Sequence, residues 1–367
     1  MKLIKYKLGD LIRQRRQKND SNDLPICGVT RDGFIPPKQQ DADTSLYNVF
    51  YLKDFVFNPA RMELNAIVFN DRYEKAICSS LYEVFYVHRP EVILPEYLAL
   101  LVKQDWFTRY CEFMGSGSAR EYCRVANISE LEIEVPPIEF QAEMARDNQI
   151  IRDRIELKRR INDNLEAQTQ ALFDELFLRD EMPDCTLSEI ANVNPTRTLS
   201  KGCIAKCYDM SCLPTRGCVP EGGEMKAYNG GVRFQNGDTL IARITPCLEN
   251  GKAAYINILN DKEVAFGSTE YIVFSPIDTM PSSFYYFLIR SKKFRAFALQ
   301  YMNGSSGRQR VSGDELAAFP LTKPSQEALS RFDMVAAPVL ERFKVTSLEI
   351  NRLNALQQLI IASISSR

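Results

Sequence analysis

Short runs of β-branched and aromatic residues, separated by turn signals, recur through most of the chain. Ala66-Ile67-Val68-Phe69, Tyr82-Glu83-Val84-Phe85-Tyr86-Val87, Thr239-Leu240-Ile241-Ala242 and Tyr271-Ile272-Val273-Phe274 read as strands. Asp32-Gly33, Asn229-Gly230-Gly231, Asn236-Gly237-Asp238 and Asn250-Gly251 read as turns. Helices are predicted from Pro95 to Phe113 and from Pro281 to Tyr301, each with a proline near its start. A Gly/Ser loop follows each, Gly115-Ser116-Gly117-Ser118 in one case and Asn303-Gly304-Ser305-Ser306-Gly307 in the other.

Two further segments have helical periodicity over many turns. In the C-terminal one the seam runs Leu329, Phe332, Ala336, Val339, Phe343, Thr346, Ile350, Leu353, Gln357, Ile360, Ile364, stepping by three and four. Pro338 lies inside it, and a kink there or a break just before is expected. The other segment, roughly 139–179, has a rougher stripe through Ile151, Ile155, Ile161, Leu165, Leu172 and Leu176, with mixed charges elsewhere.

The two patterns occur twice in the same order. Ser80-Leu81-Tyr82-Glu83-Val84-Phe85 aligns with Ser268-Thr269-Glu270-Tyr271-Ile272-Val273, Trp106 with Phe294, Met114 with Met302 and Arg120 with Arg308. Leu131 meets Leu316, Gln141 meets Gln326, and Tyr6 to Leu11 resembles Cys185 to Ile190, so the spacing drifts as loops change length. The expected fold class is α+β. Two repeated mixed α/β domains, 1–138 and 182–323, are each followed by a long helix, 139–181 and 324–367. The helices are expected to pair as an antiparallel coiled coil with pseudo-two-fold symmetry. Such a rod is up to ~60 Å long, or ~40 Å if it starts after Pro338. One DNA turn is ~34–36 Å.

Composition narrows the function. The 367 residues are 45% hydrophobic and 25% charged, which excludes a disordered or collagen-like chain. No apolar run approaches the ~18 residues of a membrane span. The segment from Met1 to Gln17 lacks the apolar core of a signal peptide, so a cytoplasmic protein is expected. None of the ten cysteines forms a CxxC pair, and reduced thiols are expected. The single histidine, His88, leaves few routes to histidine-based catalysis and reads as a surface-loop residue. There is no GxxxxGK[ST], GxSxG or HExxH. Asn58-Pro59-Ala60-Arg61 and Asn194-Pro195-Thr196-Arg197 lack the Asn-Pro-Pro-aromatic pattern of amino-methyltransferases. Asp184 and Glu189 lack the lysine spacing of a nuclease carboxylate cluster. Cys203, Cys207, Cys212 and Cys218 would permit a zinc site, but their spacing departs from two separate ligand pairs, and buried or loop thiols are favoured.

A net charge of -1 does not mark a nucleic-acid binder globally, so that function must rest on local patches. Residues 1–18 carry seven Lys/Arg against one Asp, and residues 195–252 carry eight against five acids. Arg120 and Arg124 follow the first Gly/Ser loop, while Arg308, Gln309 and Arg310 follow the second. Arginine and glutamine read guanine and adenine edges bidentately, and a Gly/Ser loop lets backbone N–H groups approach phosphate. A solvated surface charge is the plain alternative for any one arginine. Equivalent placement in both halves favours the nucleic-acid reading.

These residues carry a family resemblance. The run from Gly237 to Lys252 (GDTLIARITPCLENGK), Gly267-Ser268-Thr269-Glu270-Tyr271 and the run from Gly304 to Ser312 (GSSGRQRVS) resemble the specificity subunits of type I restriction–modification systems. Phe57 to Met62 and Gly115 to Arg120 fit the same pattern, although Asn65-Ala66 replaces its fuller Asn-Gly-Lys. The resemblance covers nearly the whole chain. It implies two target recognition domains, each reading half of a bipartite site in double-stranded DNA. It implies helices that set the half-site spacing and dock two modification (methyltransferase) subunits, with restriction subunits in the full complex. S-adenosylmethionine and ATP then belong to those partners, and this chain has neither cofactor nor catalytic residue.

The DNA-contacting set expected on this basis is Arg13, Arg15, Arg16, Arg61, Arg120, Arg124, Arg197, Lys201, Arg243, Asn250, Lys252, Arg308, Gln309 and Arg310. The partner-binding positions expected on the helices are Ile151, Ile155, Ile161, Leu165, Leu172, Val339, Phe343, Ile350, Leu353 and Ile360. Two other readings remain open. One is a scaffold or decoy that binds modification subunits without productive DNA reading, and the other is a zinc-dependent nuclease built on the cysteine cluster.

Overall fold

The computed structural model describes residues 3–21, 23–37, 43–115, 122–179, 182–305 and 307–365. The chain divides into two compact units, Met1–Arg154 with Leu353–Arg367, and Ile155–Arg352.

The first unit contains strands β1 (Ile4–Lys7), β2 (Ile12–Arg15), β3 (Ile26–Thr30), β4 (Gly33–Ile35), β5 (Asn48–Tyr51), β6 (Phe55–Phe57), β7 (Ile67–Phe69), β8 (Lys75–Cys78), β9 (Glu83–Val87) and β10 (Glu132–Val135). Its helices are α1 (Pro95–Leu101), α2 (Asp105–Gly115), α3 (Val125–Ser129) and the first part of α4 (Ile138–Phe177). The sheet orders are β2-β9-β6-β7 and β4-β3-β8-β5, with β1 paired to β10.

The second unit contains β11 (Cys185–Thr186), β12 (Ala191–Val193), β13 (Ile204–Tyr208), β14 (Glu224–Ala227), β15 (Val232–Phe234), β16 (Thr239–Ala242), β17 (Ala253–Tyr255), β18 (Ala265–Gly267), β19 (Tyr271–Pro276) and β20 (Pro320–Leu321). Its helices are α5 (Leu187–Ile190), α6 (Ser283–Arg290), α7 (Lys292–Gln300), α8 (Gly313–Ala317), the rest of α4 and most of α9 (Gln326–Ser365). The orders β12-β19-β16-β17 and β14-β13-β18-β15, with β11 on β20, repeat the first unit strand for strand. The repeat includes the parallel pair, β3 with β8 and β13 with β18.

Alternation along the central strands explains both sheets. Successive side chains of a strand point to opposite faces. Phe55 and Phe57 of β6 enter one core with α1 and α2, whereas Val56 enters another with Phe50 and Ala76. Likewise Ile241 of β16 packs with α6, while Leu240 packs with Tyr208 and Phe234. The central sheet of each unit is therefore apolar on both faces, which is why its strands read as near-continuous hydrophobic runs.

Both long helices are continuous over 40 residues. Within the second unit they run antiparallel, since Phe173 of α4 meets Phe332 of α9 and Lys158 pairs with Glu349. Phe173 and Phe177 close on Phe284 and Phe332 with ring centroids 5.0–5.6 Å apart. Within the first unit Gln357 Nε2 donates to Asn148 Oδ1 at 2.8 Å. Phe332→Ala is expected to destabilise the second unit by about 3–5 kcal/mol, because it empties this aromatic cluster. Urea denaturation of the full chain measures it.

The α9 seam follows the sequence pattern, with Leu329, Phe332, Ala336, Phe343, Thr346, Ile350 and Ile364 buried and Val339, Leu353, Gln357 and Ile360 half-buried. No break occurs at Pro338. Pro338 and Met334 both lie on the exposed face, so water can serve the carbonyl that the missing N–H leaves open. On α4 the stripe is corrected. Ile151 and Ile155 are buried and Leu165, Leu172 and Leu176 half-buried, but Ile161 is 40% exposed, and the stripe passes through Asn162, Thr169, Phe173 and Phe177. Six residues carry a helix about 240° round its axis, whereas seven return it to within about 20°. Among the described residues, no helix is long and apolar enough to cross a membrane.

Candidate nucleic-acid interface

In the second unit, β16 ends at Ala242 and the chain enters the loop 243–252. That loop is wound on its own backbone, with Leu248 N on Ile244 O, Asn250 N on Pro246 O and Lys252 N on Cys247 O at 2.9–3.0 Å. It is laced to the segment 303–312. Thr245 N donates to Gln309 O and Gln309 N to Thr245 Oγ1, both at 3.1 Å, and Val311 N donates to Arg243 O at 3.0 Å. Asn303 and Arg310 exchange a pair of backbone bonds at 2.9 Å, closing the turn that carries Arg308. Two sequence motifs some sixty residues apart thus form one surface, as the Gln309–Thr245 separation of 64 shows.

The charged groups on this surface are not equivalent. Arg310 is clipped bidentately to Glu270, its Nη2 2.7 Å and its Nε 2.9 Å from the carboxylate oxygens. That guanidinium holds the Glu270 carboxyl below its usual range, helped by Arg243. Arg243 is half-buried, and its Nε has no hydrogen-bond partner among the described residues. Arg308 and Asn250 are exposed, whereas Gln309 is half-buried. Lys252 lies partly under the loop, with Nζ donating to Met210 O at 2.7 Å. Lys201 is exposed in the turn before β13, next to the other sheet.

The first unit repeats the construction. After Phe57 the loop 58–65 starts with Asn58, whose Oδ1 accepts from Ala60 N at 3.1 Å, and ends at Asn65 with φ 53°. The corresponding loop end in the second unit uses Gly251 with φ 72°, and both residue types suit a left-handed turn. Asn65 Nδ2 donates to Val102 O at 2.7 Å and Thr108 Oγ1 at 2.8 Å, pinning the loop to α1 and α2. Cys123 N donates to Pro59 O at 3.0 Å, so the segment after α2 is laced to the loop here too. Glu83 accepts from Arg124 Nη1 at 3.2 Å and from Val125 N at 2.7 Å, as Glu270 accepts from Arg310. Arg61 is exposed on the loop. Arg120 lies outside the described residues.

Two of the sequence-selected arginines serve the fold instead. Arg15 sits between the rings of Tyr51 and Tyr86, 4.7 Å from each centroid, and its Nε and Nη2 reach Asp54 at 2.6 and 3.1 Å. Arg197 Nη2 donates to Asp238 Oδ1 at 2.5 Å and Ser275 Oγ at 2.9 Å. Both carboxylates are buried, so both arginines are drawn inward to meet them. Arg13 and Arg16 remain exposed, Arg13 donating to Gly9 O and Arg16 to Gln14 Oε1. His88 lies in the bend after β9, as expected for a loop residue, but it is half-buried, with Nδ1 shielded and unpartnered among the described residues.

Sequence reasoning missed Glu83, Glu270, Thr245 and Asn65. The two glutamates sit one column apart in the aligned strand segments, a coincidence that carries the signal. The cysteine cluster is dispersed. Cys203 is exposed, Cys207 half-buried, and Cys212 and Cys218 belong to different cores. Among the described residues, no group of three or more His, Cys, Asp or Glu side chains could hold a metal ion.

Comparison with known proteins agrees with this repeat. A family model described as type I restriction modification DNA specificity domain matches residues 5–167 and 180–359. The type I restriction enzyme EcoEI specificity subunit of Escherichia coli is 31% identical over 179 residues, 46% of this chain and 30% of the relative. The EcoAI specificity subunit of the same organism is 31% identical over 188 residues, 47% of this chain and 32% of the relative. These matches thus span about a third of the length of those relatives. The crystal structure of a type I restriction–modification system S subunit from M. genitalium superposes with a TM-score of 0.60 over 99% of this chain and 96% of that one. At 14% identity that likeness speaks to the fold alone. With two matched segments covering both units, the chain belongs to the type I restriction modification DNA specificity domain family.

Proposed function

We propose that this chain is the DNA sequence-recognition subunit of a type I restriction–modification complex, acting in the cytoplasm. Its recognition domains are residues 1–138 and 182–323, each reading one half of a bipartite site in double-stranded DNA. The helices 139–181 and 324–367 set the spacing between the halves and dock two modification subunits, to which restriction subunits add in the full complex. The chain contributes no catalytic group, and methyl transfer and cleavage belong to those partners.

The observation that carries this reading is the duplicated surface. Each unit laces a strand-end loop to a basic segment and clips one arginine to a glutamate beside exposed cationic or amide groups. Phosphate contacts position a protein on the duplex, while side chains at base edges specify. Arg61 and Arg124 in the first unit, and Arg243, Asn250, Lys252, Arg308 and Gln309 in the second, are the proposed contacts. Arg13, Arg16 and Lys201 are exposed and add positive charge to their units, and Arg310 holds the second surface together.

The helix positions need reassignment for partner docking. Ile151, Ile155, Phe343 and Ile350 are buried within the chain and so are not open to a partner. Apolar side chains left for a partner include Leu157 and Ile161 on α4 and Val345 and Leu348 on α9, all at least 40% exposed.

Genome-wide methylation mapping, with and without this chain in its host, tests the proposal. Loss of the chain is expected to erase one bipartite methylated motif and leave the others. A map unchanged by its loss, in cells whose modification subunits are expressed, would refute DNA reading and favour a scaffold for those subunits.

A further inference from the structure

Three segments of the second unit meet at one guanidinium. Arg290, the last residue of α6, donates from Nε to Glu166 Oε1 of α4 at 3.0 Å. Tyr286, one turn earlier, donates its hydroxyl to the same oxygen at 2.6 Å. The Nη1 of Arg290 donates to Gly251 O at 3.1 Å and to Thr215 O at 3.4 Å. The pair is largely shielded, Arg290 being 18% exposed and Glu166 14%.

A second arginine holds the same loop. Arg295 of α7 donates from Nη2 to Glu249 O at 2.9 Å. Gly251 lies directly beneath it, and a Cβ there would fall 3.3 Å from that guanidinium. The carbonyls on both sides of Asn250 are therefore tied down, while Asn250 itself is exposed. A buried ion pair is an expensive way merely to attach a helix to a domain. A planar fork with donors in fixed directions is, however, suited to holding two points at a set geometry.

The geometry points to Arg290 as a positioning residue that couples α4, through Glu166, to the loop presenting Asn250. This rests on the DNA-reading proposal above. Base discrimination by the second unit then depends on how the helix seats the loop, in addition to the side chains that reach the bases. Lysine at 290 keeps the positive charge but offers one nitrogen, which cannot serve Glu166 and Gly251 in the same geometry.

The test uses the full chain assembled with its modification subunits and a random duplex DNA pool. The wild-type assembly selects a bipartite consensus. Arg290→Lys and Arg295→Ala are then measured on that consensus and on duplexes changed at one base in either half. In both variants discrimination within one half-site is expected to fall about tenfold, equivalent to ~1.4 kcal/mol. The other half-site keeps its discrimination, both variants remain folded at the temperature of the binding assay, and the salt dependence keeps its slope because no phosphate contact is removed.

Unaltered discrimination in a folded Arg290→Lys variant overturns the inference. So does a loss shared equally by both half-sites together with a lowered melting temperature. If Arg290→Lys does not fold, Glu166→Gln decides, since it removes the α4 carboxylate while Arg290 keeps its bond to Gly251 O. A selective loss then supports the coupling and no change overturns it. A wild-type assembly that selects no consensus removes the DNA-reading proposal and this inference together. A clear wild-type consensus with unchanged variants removes only the coupling.

Discussion

Replacing Arg197 by methionine is expected to destabilise the second unit by about 3–5 kcal/mol, although this residue looks like a DNA contact in the sequence. Asp238 is fully buried, and its carboxylate accepts from Arg197 Nη2 at 2.5 Å and from Gln235 N at 2.8 Å. Burial pushes the Asp238 carboxyl above its ordinary value, and Arg197 works against that shift. Without the arginine the buried carboxylate keeps only neutral donors, Gln235 N and the Ser275 hydroxyl, and loses its counter-charge. The deficit has a sign in pH. Aspartate protonated in both folded and unfolded states carries no charge penalty, so the loss is small in acid. It grows as pH rises from the unfolded-state pKa towards the variant's raised folded-state pKa, where the unfolded chain is already ionised while the folded one must keep its proton or bury the charge, and it levels off above that value.

Denaturant titrations at pH 4 and pH 8 measure this directly. The double replacement Arg197→Met with Asp238→Leu should recover much of the loss, since removing both charges removes the desolvation cost. A single variant as stable as wild type at pH 8 would refute a structural role. Arg15 and Asp54 form the matching pair in the first unit, with Asp54 also raised by burial. Arg15→Met should follow the same pH trend.

The joint replacement Arg308→Ala with Gln309→Ala is the second large effect. It is expected to cost about 1–3 kcal/mol of discrimination for each of the two side chains that reads a base edge, confined to one half-site. The fold should survive. Gln309 is tied to Thr245 through its backbone N and O, and Arg308 through its backbone N to Ser305 O, so alanine retains those bonds. Arg310 is left out because its Glu270 clip supports the loop. Binding to the selected consensus and to single-base variants of each half is the measurement. Equal loss at both halves would show misfolding rather than lost reading.

Legibility in the sequence differed by element. The paired α9 seam was readable down to its polar members Thr346 and Gln357, because the three-four step persists through them. The α4 stripe was not, because Asn148, Asn162 and Thr169 occupy positions that a search for apolar residues skips, and Ile161 supplied a false continuation. The two motif-bearing loops were visible as motifs. Their lacing through Thr245 and Gln309 was not, because backbone bonding between distant segments leaves no residue-type signature.

Periodicity and repetition belong to the order of residues, and they determined that this chain has two equivalent α/β units and two long helices. Family membership follows from the same order, through motifs intact enough to match in both halves. Which arginines remain available for a ligand was decided only by tertiary structure. Asp54 lies 39 residues from Arg15, Asp238 lies 41 from Arg197 and Glu270 lies 40 from Arg310. Coulomb attraction and desolvation act through space, so an arginine's role is set by the carboxylate that the fold brings beside it.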